Sequence, residues 1–121
     1  MNGDWPIERV AGTAQGRSSG SGFGSLAWAV ATSDDTSLEV AEQAQRSFAK
    51  LDRILGELGT DKRYLLSVTV YLADLREKPA FDREWLAWVG SDPGHWPQRA
   101  CVQATLAGGA LVEIAVVAAK P

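Results

Sequence analysis

The chain is poor in the residues that build disulfide frameworks and metal centres. Its 121 residues include one cysteine, one histidine and one methionine. A single cysteine excludes a disulfide bond within the chain, and a lone cysteine with a lone histidine cannot make a usual zinc site. We therefore expect a protein that needs no metal ion. The reducing cytoplasm is the default location for such a sequence.

Excess positive charge and long apolar runs are missing as well. The 12 lysine and arginine residues are outnumbered by 15 aspartate and glutamate residues, which gives a formal net charge of −3. That balance argues against a protein held to nucleic acid or to anionic lipid mainly by charge. No uninterrupted apolar run approaches the ~18 residues of a membrane span, and MNGDWPIERV lacks the layout of a signal peptide. We therefore expect no nucleic-acid partner and no membrane partner.

The composition that remains is that of an ordinary globular domain. Hydrophobic residues make up 45% of the chain and charged residues 22%, which is close to the average for soluble proteins. A chain of this length can form one hydrophobic core without disulfides or metals to stabilise it. We predict a single domain over residues 1–121, with no internal repeat.

The part of the chain before the first helix is predicted to consist of strands and turns. Residues 16–25, GRSSGSGFGS, have the composition of a flexible linker. The alternative is a thin, irregular pair of strands, because the LAWAVAT segment that follows at once is typical of a buried strand. Both interpretations of the glycine-rich stretch stay open at this point.

The most regular helical pattern in the sequence lies over residues 38–58. Apolar residues recur there at helical spacing, at Ala41, Ala44, Phe48, Leu51, Leu55 and Leu58. Thr36 and Glu39 match a capping box at the start, and Gly59 is a natural stop. We predict one amphipathic helix that packs its apolar side against a sheet.

The rest of the chain predicts a strand, a helix and two more strands. YLLSVTVYLAD alternates, so Leu66, Val68, Val70 and Leu72 should share one face. A second helix over about residues 79–89 carries an aromatic stripe of Phe81, Trp85 and Trp88, which favours core packing over a partner surface. Strands over residues 99–106 and 111–119 follow. The predicted order, ββαβαββ, indicates an α+β sandwich with both helices on one face of the sheet.

The closing stretch, PQRACVQATLAGGALVEIAVVAA, places charges among small and apolar residues. A charge in such a strand is costly unless it is paired or used. Alternation puts Arg99 and Cys101 on one face. A two-residue turn would pair Ala104 with Glu113, on the other face. A three-residue loop would instead pair Gln103 with Glu113 and set that carboxylate beside the arginine.

Each of these three residues also has a purely structural interpretation. Arg99, at the start of a strand, could be a plain surface cation. Cys101 taken alone is more often a small core residue than a nucleophile. Glu113 could be a charge that protects an edge strand from pairing with other chains. The residue types alone do not decide between structure and function.

The same stretch resembles the C-terminal signature of the Rid (YjgF-type) family, which is a Pro-x-Arg-x-Cys-Val segment, a short turn and a Val-Glu-Ile strand. Upstream, EQAQRSFAKLDRILGELGTDKRYLLSVTVYLADL is similar to the family's glutamine-started helix, its Leu-Gly stop and its strand ending in Leu-x-Asp. REWLAWVGSDPGHWPQR resembles the YoaB-like branch of the family. Together the likeness covers residues 26–119.

The resemblance implies a compact α+β fold like that of the Bacillus-type chorismate mutase, with a mixed sheet and two helices on one face. It also implies a homotrimer with three sites in the clefts between subunits. Well-studied members hydrolyse reactive enamines and imines of amino acids, such as 2-aminoacrylate, to 2-keto acids and ammonia. They use neither metal nor cofactor. Some members have been described as ribonucleases or chaperones instead.

Carried onto this sequence, the resemblance gives roles to three residues. Arg99 would bind the carboxylate of a small substrate, because a guanidinium is a rigid two-pronged donor that matches it. Glu113 would position a water molecule or carry a proton. Cys101 would line the pocket without acting as an essential nucleophile. The catalytic pair implied is therefore Arg99 and Glu113.

Four positions depart from the family pattern. Val30 and Ala31 replace a usual Ser/Thr-Gly pair, Asp82 replaces a frequent asparagine, and Arg17 falls near the aromatic residue that often precedes the first strand. By this correspondence Ala31, Asp82 and Arg17 are expected to line the substrate site. Asp82 would place negative charge near an anionic substrate, and Arg17 could offset it.

The leading hypothesis from the sequence is a cofactor-free hydrolase of imines and enamines that carry a carboxylate. The alternative is a non-catalytic module of the same fold that binds a small keto or imino acid, which the departures at Val30, Ala31 and Asp82 favour. An RNA-acting protein is the least supported, because the chain is acidic and lacks a basic-aromatic surface pattern.

Overall fold

Six strands form one mixed sheet in the computed structural model, which describes residues 4–121. The strands are β1 (Glu8–Ala11), β2 (Ser18–Phe23), β3 (Leu26–Thr32), β4 (Leu65–Leu72), β5 (Gln98–Gln103) and β6 (Val112–Ala119). The helices are α1 (Val40–Glu57) and α2 (Lys78–Val89). Across the sheet the order is β1-β2-β3-β6-β4-β5. The predicted α+β class, with a mixed sheet and two helices, is confirmed.

The glycine-rich stretch is a strand, and the linker interpretation is wrong. Residues 18–23 pair with β3 on one side and with β1 on the other, and β1 itself was not predicted. A Cβ atom on Gly20 would overlap the Ile54 side chain of α1, and one on Gly22 would crowd Leu58. Glycine is required at positions 20 and 22 because α1 approaches β2 too closely there for a side chain to fit.

The first helix begins and ends close to its predicted limits, but the predicted capping box is wrong. Glu39 is the N-cap residue, and no side chain makes a capping hydrogen bond there. Gly59 adopts a φ of 80° just beyond the helix, as expected of a stop in the left-handed region. The entry to α1 is instead fixed by hydrogen bonds of Gln43.

A fully buried glutamine connects the start of α1 to the start of β6. The Gln43 Nε2 group donates to the Leu38 carbonyl at 2.9 Å, and its Oε1 accepts from the Leu111 N–H at 2.9 Å. Burying an amide in a core is tolerated when its groups are paired in this way. Gln43 therefore helps set where β6, and Glu113 on it, enters the sheet.

The hydrophobic core lies between the helices and one face of the sheet. Phe81 of α2 is fully buried, and Trp85 and Trp88 are each 8% exposed. The ring of Phe48 on α1 stacks on Trp88, with 4.5 Å between centroids and 11° between planes. Aromatic pairs of this kind add to the free energy gained by burial. The core-packing interpretation of the aromatic stripe is confirmed.

One residue of β4 does not follow the predicted alternation. Leu66 was expected on the buried face with Val68, but it is 48% exposed, and Leu65 is buried instead at 6%. The register with β6 shifts between Leu65 and Ser67. A bulge of this kind inserts one extra residue into the strand, so the side-chain alternation before the bulge is out of phase with the alternation after it.

The predicted hairpin between the last two strands is wrong. β5 runs parallel to β4 at the edge of the sheet, as expected of two strands connected through a helix. β6 then crosses back and inserts between β3 and β4, antiparallel to both. Neither predicted turn therefore exists, and Glu113 pairs with Thr32 and Tyr71 rather than with a residue of β5.

Candidate functional site

The sheet separates the predicted site residues into two groups. Arg99 and Cys101 pair with buried valines of β4 and project toward the helices. Glu113 pairs with Thr32 and Tyr71, and the side chains of all three lie on the opposite face of the sheet. We call this the open face, because neither α1 nor α2 covers it. The expectation that Glu113 lies beside Arg99 and Cys101 is wrong within one chain. The register of β6 against β4 is the reason.

Arg99 lies in what we call the arginine pocket, formed by Lys78, Phe81, Asp82, Trp85, Arg99 and Cys101. Its side chain is only 16% exposed. Arg99 Nη2 donates to Asp82 Oδ1 at 2.7 Å, and its guanidinium carbon lies 5.6 and 5.2 Å from the ring centroids of Phe81 and Trp85. The surface-cation interpretation of Arg99 is therefore wrong, since aromatic rings and a carboxylate hold its charge in place.

One nitrogen of Arg99 is buried without a hydrogen bond. Among residues 4–121, no group accepts a hydrogen bond from Arg99 Nη1, although that atom is removed from solvent. Buried donors without partners are rare in folded proteins and call for an explanation. Because Nη2 already donates to Asp82, the donor that still needs an acceptor is Nη1, and an anionic oxygen is the acceptor that a guanidinium binds most strongly.

Asp82 is ionised and shared between two cations. Lys78 Nζ donates to Asp82 Oδ2 at 2.7 Å, while Arg99 donates to Oδ1. Burial raises the pKa of the Asp82 carboxyl, but the hydrogen bonds from Lys78 and Arg99 outweigh it, so that the pKa is lowered overall. The three charges sum to one positive charge. The negative charge of Asp82 is thus balanced by Lys78 and Arg99, and not by Arg17 as expected.

Cys101 lies in the same pocket as a protonated thiol. Burial raises the pKa of the Cys101 thiol above its usual value, and the positive charge of Arg99 opposes this only in part. A reactive thiolate needs a lowered pKa, so the raised pKa argues against a nucleophilic role for Cys101 at neutral pH. Its side chain is partly buried and packs against the core, as the sequence indicated.

The second group of predicted residues lines a cleft where β1 and β3 end and β2 begins, which we call the Arg17 cleft. Arg17, Ala31 and Glu113 all line this cleft, together with Val30, and its volume is about 470 Å³. The structure therefore brings Arg17 and Ala31 to Glu113, and brings Asp82 and Cys101 to Arg99. Each predicted site residue belongs to one of these two places.

Three charged residues of the Arg17 cleft were missed by sequence reasoning. Lys50 and Arg53, one turn apart on α1, line it together with Asp34. Their spacing at i and i+3 shows that they share a helix face, but the sequence contains no sign of which strand that face meets. The close approach of α1 to β2 at Gly20 and Gly22 is what brings them there.

The open face of the sheet exposes an unusual amount of apolar surface. Trp28 is 38% exposed, Val30 39% and Val102 43%. Patches of this kind on a sheet face commonly mark a contact with another protein surface. Within residues 4–121, no helix is long and apolar enough to cross a membrane, and no set of three or more His, Cys, Asp or Glu side chains could hold a metal ion.

Known structures and sequences identify the class of protein. A YjgF family member from Neisseria meningitidis superposes with a TM-score of 0.84 at 33% identity, covering 95% of both chains. A structure from Pseudomonas aeruginosa superposes with a TM-score of 0.85 at 29% identity, covering 95% of this chain and 99% of the other. The architecture is therefore that of the YjgF proteins.

Sequence relatives agree with the structural ones. The family model Endoribonuclease L-PSP matches residues 23–120. The RutC family protein YoaB of Escherichia coli is 39% identical over 79 residues, which are 64% of this chain and 68% of YoaB. A RutC family protein of Haemophilus ducreyi is 36% identical over 86 residues, which are 70% of this chain and 72% of that protein. This chain belongs to the YjgF/Rid family, as its C-terminal signature predicted.

Proposed function

We propose that this protein hydrolyses reactive imines and enamines of amino acids, of the 2-aminoacrylate kind, to 2-keto acids and ammonia without a cofactor. The observation that carries the proposal is the state of Arg99. Its guanidinium is largely removed from water and held over two aromatic rings, yet Nη1 has no partner among the described residues. A carboxylate on the substrate is proposed to accept a charge-assisted hydrogen bond from Nη1, while Nη2 stays on Asp82.

The reaction needs positioning and proton transfer but no redox step. The oxygen of a water molecule bonds to the C=N carbon while the nitrogen gains a proton, which forms a carbinolamine. The amino nitrogen then takes up a further proton, the C–N bond breaks, and ammonia leaves with the bonding pair while the hydroxyl group gives up its proton, which leaves the 2-keto acid. An enamine first gains a proton on its terminal carbon and loses one from its nitrogen, which converts it to the imine. Glu113 is the group proposed to hold the water and to accept and return its proton.

The site is proposed to form between copies of the chain in a homotrimer. Arg99 and Glu113 project from opposite faces of one sheet, so they cannot act on one small substrate from the same chain. A ring of identical subunits joins two different surfaces of the chain at each contact. Such a contact can set the Arg17 cleft, with Glu113, against the arginine pocket of the next copy. The exposed Trp28 and Val30 on the open face support burial there.

Subunit mixing tests this proposal directly. Arg99→Ala and Glu113→Gln trimers should each be nearly inactive. Loss of a positioned acid-base group lowers kcat by roughly 10²–10⁴-fold, and Glu113→Gln should change KM less than kcat. When the two variants are unfolded, mixed equally and refolded together, about one quarter of the sites combine Arg99 of one chain with Glu113 of another. Activity should return to about that fraction of the wild-type value.

The controls separate the possible failures. Mixing Arg99→Ala with the Arg99→Ala/Glu113→Gln double variant creates no complete site and should restore nothing. Light scattering must show assemblies of three 13.0 kDa chains for both variants and the mixture. A stable monomer at micromolar concentration, or trimeric mixtures without recovered activity, would contradict a site shared between subunits.

A non-catalytic binding module is the second candidate, and two observations favour it. Asp82 already occupies Arg99 Nη2, and the apolar Val30 and Ala31 stand where the family usually has a Ser/Thr-Gly pair. A wild-type protein that turns over no imino acid, but binds pyruvate in a way that Arg99→Ala abolishes, would support the module. Turnover of 2-aminoacrylate generated in the assay would exclude it.

A further inference from the structure

We infer that the preferred substrate carries a second acidic group, which Arg17 binds, so that the protein acts on imines of dicarboxylic amino acids. The inference rests on the proposed function for the first carboxylate, which Arg99 binds. The additional element is the acidic side chain of the substrate, which the charges and the shape of the Arg17 cleft indicate.

Arg17 is the uncommitted cation of the cleft. It is exposed, and it makes no hydrogen bond or ion pair with any other residue in the described range 4–121. A guanidinium keeps its charge at every accessible pH and presents two parallel donors. Because none of residues 4–121 uses those donors, they are available to an anionic group in the cleft.

The other charges of the cleft leave it positive on balance. Arg17, Lys50 and Arg53 face two acids, Asp34 and Glu113, although the chain as a whole has a net charge of −3. Lys50 is neutralised by Asp34 at 2.5 Å. Arg53 contacts Glu57 across 3.5 Å with both side chains more than half exposed, an arrangement that contributes little free energy. The positive charge of Arg53 is thus balanced only weakly by Glu57, and that of Arg17 is balanced by no ion pair among residues 4–121.

The shape of the cleft suits a substrate longer than 2-aminoacrylate. Its volume of about 470 Å³ falls in the range of small-molecule sites, roughly 300–1,000 Å³. Val30, Ala31 and Ile54 provide apolar lining on which methylene groups can lie. Among ordinary amino acids, the acidic side chains are those of aspartate and glutamate. An imine derived from either one would present its α-carboxylate to Arg99 and its distal carboxylate to Arg17.

The test compares two imines of the same shape and different charge. L-glutamate and L-norvaline are each oxidised in the assay by an added amino-acid oxidase or dehydrogenase, which gives imines with a carboxylate or a methyl group at the same distance. The wild-type kcat/KM should favour the glutamate imine by about tenfold, which corresponds to one charge-assisted hydrogen-bonding pair. Arg17→Ala should bring that ratio close to one.

A matched control removes a positive charge elsewhere. Arg46→Ala, an exposed arginine of α1 that does not line the cleft, should leave the ratio at its wild-type value. If Arg17→Ala lowers both rates equally, or if the wild type shows no preference, the inference is wrong, while Arg99-dependent turnover would leave the proposed hydrolase in place.

A binding measurement covers the case in which no imine is hydrolysed. Calorimetric titration with 2-oxoglutarate and with 2-oxopentanoate gives the same charge comparison without turnover. A preference of about tenfold for 2-oxoglutarate that is lost in Arg17→Ala would support the second anionic subsite even where the hydrolase proposal fails. Equal affinities of the wild type for the two keto acids would overturn it.

Discussion

The arginine pocket and the Arg17 cleft hold their arginines in opposite ways. The Arg99 side chain is 16% exposed, its guanidinium lies over Phe81 and Trp85, and it donates a hydrogen bond to Asp82. Arg17 is exposed and has no ion pair or hydrogen bond among residues 4–121. Arg99 is therefore held in place by its own chain, whereas Arg17 would lose side-chain freedom on binding the proposed ligand.

This difference indicates different contributions to binding. A rigid, partly dehydrated guanidinium pays little ordering entropy and interacts strongly with a carboxylate. A solvent-exposed arginine gives a smaller free energy, since water and salt screen its charge. We therefore expect changes in the arginine pocket to alter turnover by orders of magnitude, and changes in the Arg17 cleft to alter the choice between substrates.

The largest effect is expected from removing Arg99. Loss of one partner of a charge-assisted pair in a partly dry pocket costs about 2–5 kcal/mol, so Arg99→Ala should lower kcat/KM for an imine by about 30-fold to several thousand-fold. Arg99→Lys should recover little of this loss, because an ammonium group cannot reproduce two parallel donors. Steady-state kinetics on 2-aminoacrylate generated in the assay measure both.

The control for this prediction is an arginine on the adjoining helix. Arg83→Ala removes an exposed charge and should leave kcat/KM near the wild-type value. Circular dichroism and thermal unfolding must show that Arg99→Ala is folded, since its side chain packs on core aromatics. Wild-type activity in a folded Arg99→Ala protein would end the proposed role of the arginine pocket.

Much of the fold was predictable because its signals are local. The aromatic stripe of α2 and the long helix α1 follow from helical spacing alone, and the face shared by Arg99 and Cys101 follows from alternation along one strand. The order of the strands does not follow from such patterns, because β6 inserts between two strands that lie far from it in sequence. The bulge that exposes Leu66 is likewise set by pairing with β6.

The candidate site was predictable in its residues but not in its arrangement. Arg99 and Glu113 stand out as charges among apolar neighbours and match the family signature. Alternation relates side chains on one strand or on paired strands, and β5 and β6 are not paired because β4 lies between them. Lys50 and Arg53 gave no signal, since the approach of α1 to β2 depends on tertiary packing.

An intermediate effect is expected from the acid that competes for Arg99. In Asp82→Asn, Arg99 Nη2 loses a charged acceptor and becomes available to a ligand, so a monocarboxylate such as pyruvate should bind about tenfold more tightly. Lys78→Met should have the opposite effect, because Asp82 would then interact with Arg99 alone. Calorimetric titration at neutral pH measures both, and weaker binding by Asp82→Asn would show that Asp82 supports the site.

The pH dependence of this ion pair has a definite sign. The pKa of Asp82 is lowered from its ordinary value of 3.8, so its carboxylate is charged throughout the neutral range. The stability that it provides through Lys78 and Arg99 is present above pH 3.8 and is lost as pH falls through the lowered pKa. Compared with Asp82→Asn, the wild type should therefore lose more of its free energy of unfolding on acidification below about pH 4.

The smallest effect is expected from Cys101, which shares the arginine pocket but contributes no charge. Burial raises the pKa of its thiol, so the side chain is protonated at pH 7 and a serine of similar size can replace it. Cys101→Ser should change kcat by less than about threefold, because a neutral thiol is a weak nucleophile. Alkylation of the wild type by iodoacetamide should be slow at pH 7 and should accelerate only as pH rises past the ~8.5 of an ordinary cysteine. A loss of kcat by two orders of magnitude in a folded Cys101→Ser protein would instead show that the thiol takes part in the chemistry. The arginine pocket would then contribute a reacting group in addition to the charge of Arg99.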